Sequence, residues 1–316
     1  MKRREVLGGA ARGAVALGVA KALHNTVAGF GHLGFGENLL TQDLGPLVEE
    51  QLTIERVYRT DWEDGELQVV GDSVRYRRGT HERWRAVESD ESPARLVGFE
   101  TDLLDLRAGA VDVAFMDPDT FFERLEGSDS RPLTVELLRG GSYPRASPAA
   151  VRQFVGESPT ESEALLRGLV RAYARRTKYD TPRYLAGTVD DNLIPVDANL
   201  RAPFRPDVTM ESLASAEDPV RLFCGEYSIL ARRAVQAVSA HVQSPPLFGM
   251  LVHDRRHKHV YNAFGSVRRV GGALEIPITF VDYMDTTLYR DFRLRRFLGS
   301  GFNAYDEWHR ADAITW

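Results

Sequence analysis

One cysteine, Cys224, stands in 316 residues, and only four of the 40 basic side chains are lysine. A lone thiol excludes an internal disulfide framework, and a chain of this length buries a sizeable core without one. Long apolar runs are missing as well. Near the N-terminus Arg12 and Lys21 leave only Gly13 to Ala20 uncharged, far short of the about 20 residues that cross a bilayer, so no membrane span is expected. Positive charge is not in excess. A net charge of −5 argues against a general nucleic-acid binder, and the arginine-aromatic stretch "YRDFRLRRF" (289–297) reads as a solvated face. What remains, 43% hydrophobic and 27% charged residues, is the composition of a globular protein, with a length that suggests about two domains.

The first 36 residues read as a leader and linker. "MKRREVLGGAARGAVALGVAKALHNTVAG" places Arg3-Arg4 ahead of Val6-Leu7 and a Gly/Ala-rich stretch, and it resembles a twin-arginine export signal with a mature terminus near Gly29. That pattern implies an extracytoplasmic or cell-surface location; the alternative is an amphipathic or disordered leader on a cytoplasmic protein. "GFGHLGFG" (29–36) follows as a linker too rich in glycine to hold an element.

Residues 37–150 read as a β-rich α/β region. Short alternating runs between 52 and 87, separated by Asp64-Gly65, Gly71-Asp72 and Gly79, predict a small antiparallel sheet. From 98 to 127 the pattern is helix, buried strand "VDVAFM", and a second helix opening at Asp117-Pro118. The stretch 106–121 is also similar to strands that feed the ligand cleft of extracellular solute-binding proteins. This offers a different function class: a binding or structural module without chemistry. A buried α/β unit is the plainer reading.

Proline, serine and glycine thicken from 139 to 159, and a boundary near 150 follows. Ser158-Pro159-Thr160-Glu161 has the form of a capping box, predicting a helix that runs until Thr181-Pro182 ends it. Tyr227, Leu230, Ala231, Ala234 and Val238 recur at helical spacing after Cys224. If that helix opens at Cys224-Gly225, the thiol lies beside unpaired backbone N–H groups, where thiolate is favoured. A start at Asp218-Pro219 would instead bury Gly225 mid-helix, at a cost of about 1 kcal/mol. Three strand runs close the pattern: "LFGMLVH", "HVYNAF" and "LEIPITFVD".

A nucleophilic thiol needs a base and a group that orients the base. A hairpin centred on Val270-Gly271 sets His259 opposite Asp282, with Cβ atoms about 4.5–5.5 Å apart. A centre on Gly271-Gly272 moves the partner to Met284 and leaves Asp285 as the fallback orienter. A metal site built on His253, His257 and His259 fails on distance, since the first two lie about 13 Å apart along one strand.

The order of "TKYDTPRYLAG", "FCGEYSILARRAV", "KHVYNAF" and "ITFVDYMD" resembles the transglutaminase-like cysteine enzymes over residues 158–285. Tyr261 stands where the family often carries tryptophan. The resemblance implies an α+β protein whose 151–316 domain has a papain-like core, with the cysteine helix packed on an antiparallel sheet. It further implies Cys224 as nucleophile, His259 as base and Asp282 as orienter, with no cofactor or metal. The reaction would be acyl transfer through a thioester on a protein or peptide substrate, ending in hydrolysis or transamidation.

Overall fold

The computed structural model describes residues 37–52, 58–62, 65–71, 73–79, 81–88, 91–140, 145–180, 182–183, 208–255, 259–284 and 309–315. The leader and linker, His257, Asp285 and the 289–297 stretch lie outside them. The protein is a mixed α+β structure.

Helix α1 (Gly45–Leu52) precedes four short strands, β1 (Tyr58–Trp62), β2 (Gly65–Val70), β3 (Ser73–Arg78) and β4 (Arg85–Ala86). They pair in chain order as an antiparallel sheet, as the alternating runs predict. Leu67, Val69, Val74 and Tyr76 lie on its buried side, at alternate positions on β2 and β3. Helix α2 (Ala94–Ala108), strand β5 (Val111–Phe115) and helix α3 (Pro118–Leu125) follow. Asp117 caps α3 by accepting from the N–H groups of Asp119 (3.0 Å) and Thr120 (3.1 Å), with Pro118 at the first helical position.

After β6 (Asp129–Ser130) come α4 (Pro132–Arg139), α5 (Pro148–Val155), α6 (Ser162–Arg176), β7 (Thr177–Tyr179), α7 (Met210–Ser215), β8 (Val220–Leu222) and α8 (Cys224–Val235). The chain closes with β9 (Phe248–Asp254), β10 (His259–Gly265), β11 (Arg268–Val270), β12 (Ala273–Val281) and β13 (Ala313–Thr315). A seven-stranded sheet runs β13-β9-β10-β12-β11-β6, with β5 parallel on the other edge of β12. Strands from both sides of residue 150 therefore share one sheet, and the boundary expected there does not divide it.

Both faces of this sheet are covered. Tyr261, Ala263, Ile276, Ile278 and Phe280 join one core with α2, α4 and the small sheet, while Phe264 and Val281 join a second core with α3, α5, α6, α7 and α8. Along β12, Leu274, Ile276, Ile278 and Phe280 alternate toward the first core, and Val281 reaches the second. Pro277 sits within the strand without breaking the sheet. Its carbonyl accepts from Ser266 N–H (3.2 Å), and the donor it lacks falls at the gap between β10 and β11.

Two local expectations are corrected. Ser158 is not the N-cap of a helix; Glu161 takes that position, without a side-chain cap. Ser244 N–H donates to the Thr160 carbonyl (2.8 Å) and Ser162 N–H to the Ser244 carbonyl (3.0 Å), so this backbone is held by a distant segment and α6 begins only at Ser162. The same helix ends at Arg176, before Thr181-Pro182, because 177–179 pairs in parallel with β8.

Candidate active site

The residues before α8 fix where the helix starts. β8 ends at Leu222, whose carbonyl accepts from Asp180 N–H (3.0 Å), and Phe223 is still extended. Cys224 is the first helical residue, so the start at Asp218-Pro219 is excluded. Glu226 holds the turn. One carboxylate oxygen accepts from Phe223 N–H (2.8 Å) and the other takes both terminal nitrogens of Arg183 (2.8 Å each). The Arg183 guanidinium also lies over the Phe223 ring at 4.2 Å.

Helix α8 packs on β9 and β10. Ser228 Oγ lies within hydrogen-bond distance of the Cys224 carbonyl (2.9 Å) and the Val260 carbonyl (3.1 Å), joining the first turn to the residue after His259. Asn262 Nδ2 donates to the Ser228 carbonyl (3.0 Å) from the same strand. Edge-on contacts of Tyr173 with Tyr227 (5.0 Å) and Tyr283 (5.3 Å) couple α6, α8 and the residue following Asp282. Each such pair contributes about 0.5–1.5 kcal/mol beyond its burial, so the helix carrying the thiol and the end of β12 are held to one aromatic cluster.

The hairpin register is the alternative one. Asn262 pairs with Val281 and Val270 with Ala273, numbers that sum to 543. The two central turn residues are Gly271 (φ 58°) and Gly272 (φ 91°), and a turn centred one residue earlier would force β-branched Val270 to positive φ. Extended by one pair, this register sets Asp282 opposite Tyr261 and diagonal to His259. A diagonal pair lies about 7–8 Å apart between backbones, within reach of an imidazole. His259 Nε2 donates to Asp282 Oδ2 at 2.8 Å. The expected pairing of side chains holds although the register that suggested it does not.

With Nε2 committed to the carboxylate, Nδ1 is the ring nitrogen left to serve the thiol, and His259 and Cys224 are close enough to shift each other's titration. Burial pushes the Cys224 thiol up, but the His259 hydrogen bond and charge pull it below the ordinary cysteine value. Burial pushes His259 down, and the Asp282 charge and hydrogen bond, with Cys224, carry it well above the ordinary imidazole value. Asp282 is pushed up by burial and held far below the usual carboxylate range by His259 and His309. Relative to their ordinary values, the surroundings thus favour thiolate on Cys224, imidazolium on His259 and carboxylate on Asp282. Cys224 itself is partly exposed, while His259 and Asp282 are buried.

A fourth group escaped sequence reasoning. His309 Nε2 donates to the same Asp282 Oδ2 at 3.0 Å. Nothing in its setting, "DEWHRADAITW", marks it as a partner of Asp282. His259, Asp282 and His309 also form a cluster that could be read as three metal ligands. Ligands on a tetrahedral ion at 2.0–2.1 Å lie about 3.3 Å apart. The observed 2.8 Å and 3.0 Å are hydrogen-bond separations instead. His253 lies apart from this group, near Thr315 Oγ1 (3.5 Å). An open groove of about 630 Å³ beside Phe122, Arg167 and Pro245 is lined by none of these residues, so the chemistry rather than the cavity locates the site. No family model, curated protein or solved structure matches the chain.

Proposed function

We propose that the protein is a transglutaminase-like cysteine enzyme with a papain-like core, performing acyl transfer through a thioester on a protein or peptide. The observation that carries this reading is Cys224 on the first turn of a helix packed against an antiparallel sheet, beside a histidine whose far nitrogen is held by Asp282 at 2.8 Å. The thiolate attacks an amide carbonyl carbon. As the C–N bond breaks, His259 gives its Nδ1 proton to the departing amine, leaving a thioester on Cys224. Water or a second amine, deprotonated by the now neutral His259, attacks the thioester and releases the thiolate. Water completes hydrolysis and an amine completes transamidation. The twin-arginine-like leader supports action outside the cytoplasm.

An activated ester tests the nucleophile without knowledge of the natural substrate. Full-length protein mixed with p-nitrophenyl acetate should release a burst of about one nitrophenolate per chain, the fingerprint of an acyl-enzyme. The acetyl group should map to Cys224 and be removed by hydroxylamine. A burst of equal size from Cys224→Ala, or none from the wild type, would remove the basis of this reading.

A further inference from the structure

We propose that His309 is a positioning residue of the same site, delivered by the C-terminal edge strand to hold the Asp282 carboxylate in the orientation that serves His259. The proposal rests on the cysteine-enzyme reading and adds a member to it. A carboxylate accepts only, so both imidazoles on Oδ2 present Nε2–H to it. The other oxygen, Oδ1, accepts from Met284 N–H at 2.9 Å. Three donors thus converge on Asp282, two on the oxygen that serves His259. Removing the His309 donor frees the carboxylate to rotate about the bond to its β carbon, and the imidazole turns with it.

The segment that carries His309 is built into the sheet. β13 pairs with β9, and Asp312 N–H donates to the His253 carbonyl at 2.8 Å. Arg255 N–H donates to Asp312 Oδ2 (2.7 Å), and Gln42 bonds Ala311 through both its amide oxygen (3.0 Å) and nitrogen (2.5 Å). The His309 carbonyl accepts from Leu39 N–H (2.9 Å), so residues near the start of the described chain hold the segment from outside. Within the site, the Tyr261 ring lies 4.7 Å from His309 and 5.7 Å from His259, and its hydroxyl donates to the Arg310 carbonyl (2.9 Å). Among the described residues, the charged and titratable groups near His309 include Asp282, His259 and Tyr261, with Asp254 accepting from Arg310 N–H and the Arg310 guanidinium turned to Asp312. A residue serving only to fill space would not need a ring nitrogen aimed at a buried carboxylate already bonded to the base.

Because Cys224 is the only thiol, its alkylation by iodoacetamide can be followed in the full chain without ambiguity. Rates are measured from pH 5 to 10 for wild type, His309→Phe, His309→Gln and His259→Ala, with thermal midpoints for each. His309→Phe keeps the ring volume and removes the donor. It should slow alkylation at neutral pH by about tenfold, the low end for a hydrogen bond to a charged group, and move the pH midpoint toward that of an ordinary thiol. His309→Gln places an amide N–H where Nε2 was and should restore most of the rate. A His309→Phe profile superimposable on wild type, with His259→Ala shifted, overturns the role of His309 and leaves the cysteine-enzyme reading standing. Equal loss in the phenylalanine and glutamine variants assigns His309 to packing and overturns it too. A wild-type profile of ordinary thiol form that His259→Ala does not change defeats both readings.

Discussion

Asp282→Asn tests how far the thiolate depends on the carboxylate two groups away. Asparagine keeps the shape and can still accept from His259 Nε2, but it no longer balances the imidazolium. The bond at stake is 2.8 Å long and both side chains are buried, at 8% and 2% exposure, so solvent screening takes little from it. A hydrogen bond between charged groups is worth about 1.5–3 kcal/mol net, and 1.36 kcal/mol is one pKa unit, so His259 should lose about one to two units of basicity. The thiolate-imidazolium pair should become rarer by about tenfold to hundredfold at neutral pH. The burst with p-nitrophenyl acetate, followed by stopped flow from pH 5 to 9.5, should slow by that factor, with its pH midpoint displaced upward. Since thiol and imidazole titrate jointly, the midpoint belongs to the pair.

Stability carries the same signature with a definite sign. Asp282 has a depressed folded-state pKa, so its contribution is complete above the unfolded carboxyl value and fades as pH falls below it. His259 has a raised one, so its contribution is complete below the unfolded imidazole value, about 6.5, and fades as pH rises through the folded value. Both are present together between about pH 4 and 6.5, where the urea midpoint of Asp282→Asn should lie furthest below that of wild type. A burst rate within about twofold of wild type, or a stability gap that does not narrow above pH 7, would refute the coupling.

Other outcomes follow from the same geometry. Cys224→Ala should abolish the burst while costing well under the about 2–5 kcal/mol of a closed-core truncation, because the residue is partly exposed; loss of folding would contradict its placement. His259→Ala should be nearly as damaging to the burst, and the double variant no worse than Cys224→Ala alone, since the residues act as a unit. Gly265→Ala should destabilise the protein by about 1–3 kcal/mol through overpacking, because the new Cβ would lie 2.4 Å from the buried Phe248 ring. Chemical denaturation checks it, and an unchanged midpoint would sink it. Replacing Arg3 and Arg4 by lysine should retain the protein in the cytoplasm of its host, and detection of intact Met1 on natively located protein would end the export proposal.

Elements whose signals are local were legible. The start of α3 follows from Asp117-Pro118, because an N-cap side chain and a proline act within one turn. The start of α8 follows from the poor fit of Gly225 to a helix interior. Ser158–Glu161 has the same kind of local signal and yields a wrong helix start, because backbone partners in the 244 segment compete successfully for it. The pairing of β5 with β12 was hidden for the corresponding reason. Their parallel contact joins residues such as Val111 and Leu274, and no turn signal can announce a pairing across that separation.

The contact of His259 with Asp282 was legible through chain order, but for the wrong reason. Direct opposition of His259 and Asp282 requires the 541 register, and the two consecutive glycines dictate 543 because each takes a positive φ. Asp282 remains the partner because side chains two residues apart on a strand share a face, so a shift of two in the sum turns a direct pair into a diagonal one on the same side. A shift of one would have turned Asp282 to the opposite face and broken the site. His309 had no such protection. It reaches Asp282 only because β13 joins the far edge of the sheet, beyond β9, and turns the chain back over Tyr261. Chain order can therefore point to the three residues that adjoining elements bring together, while the fourth depends on an edge strand whose pairing only the fold reveals.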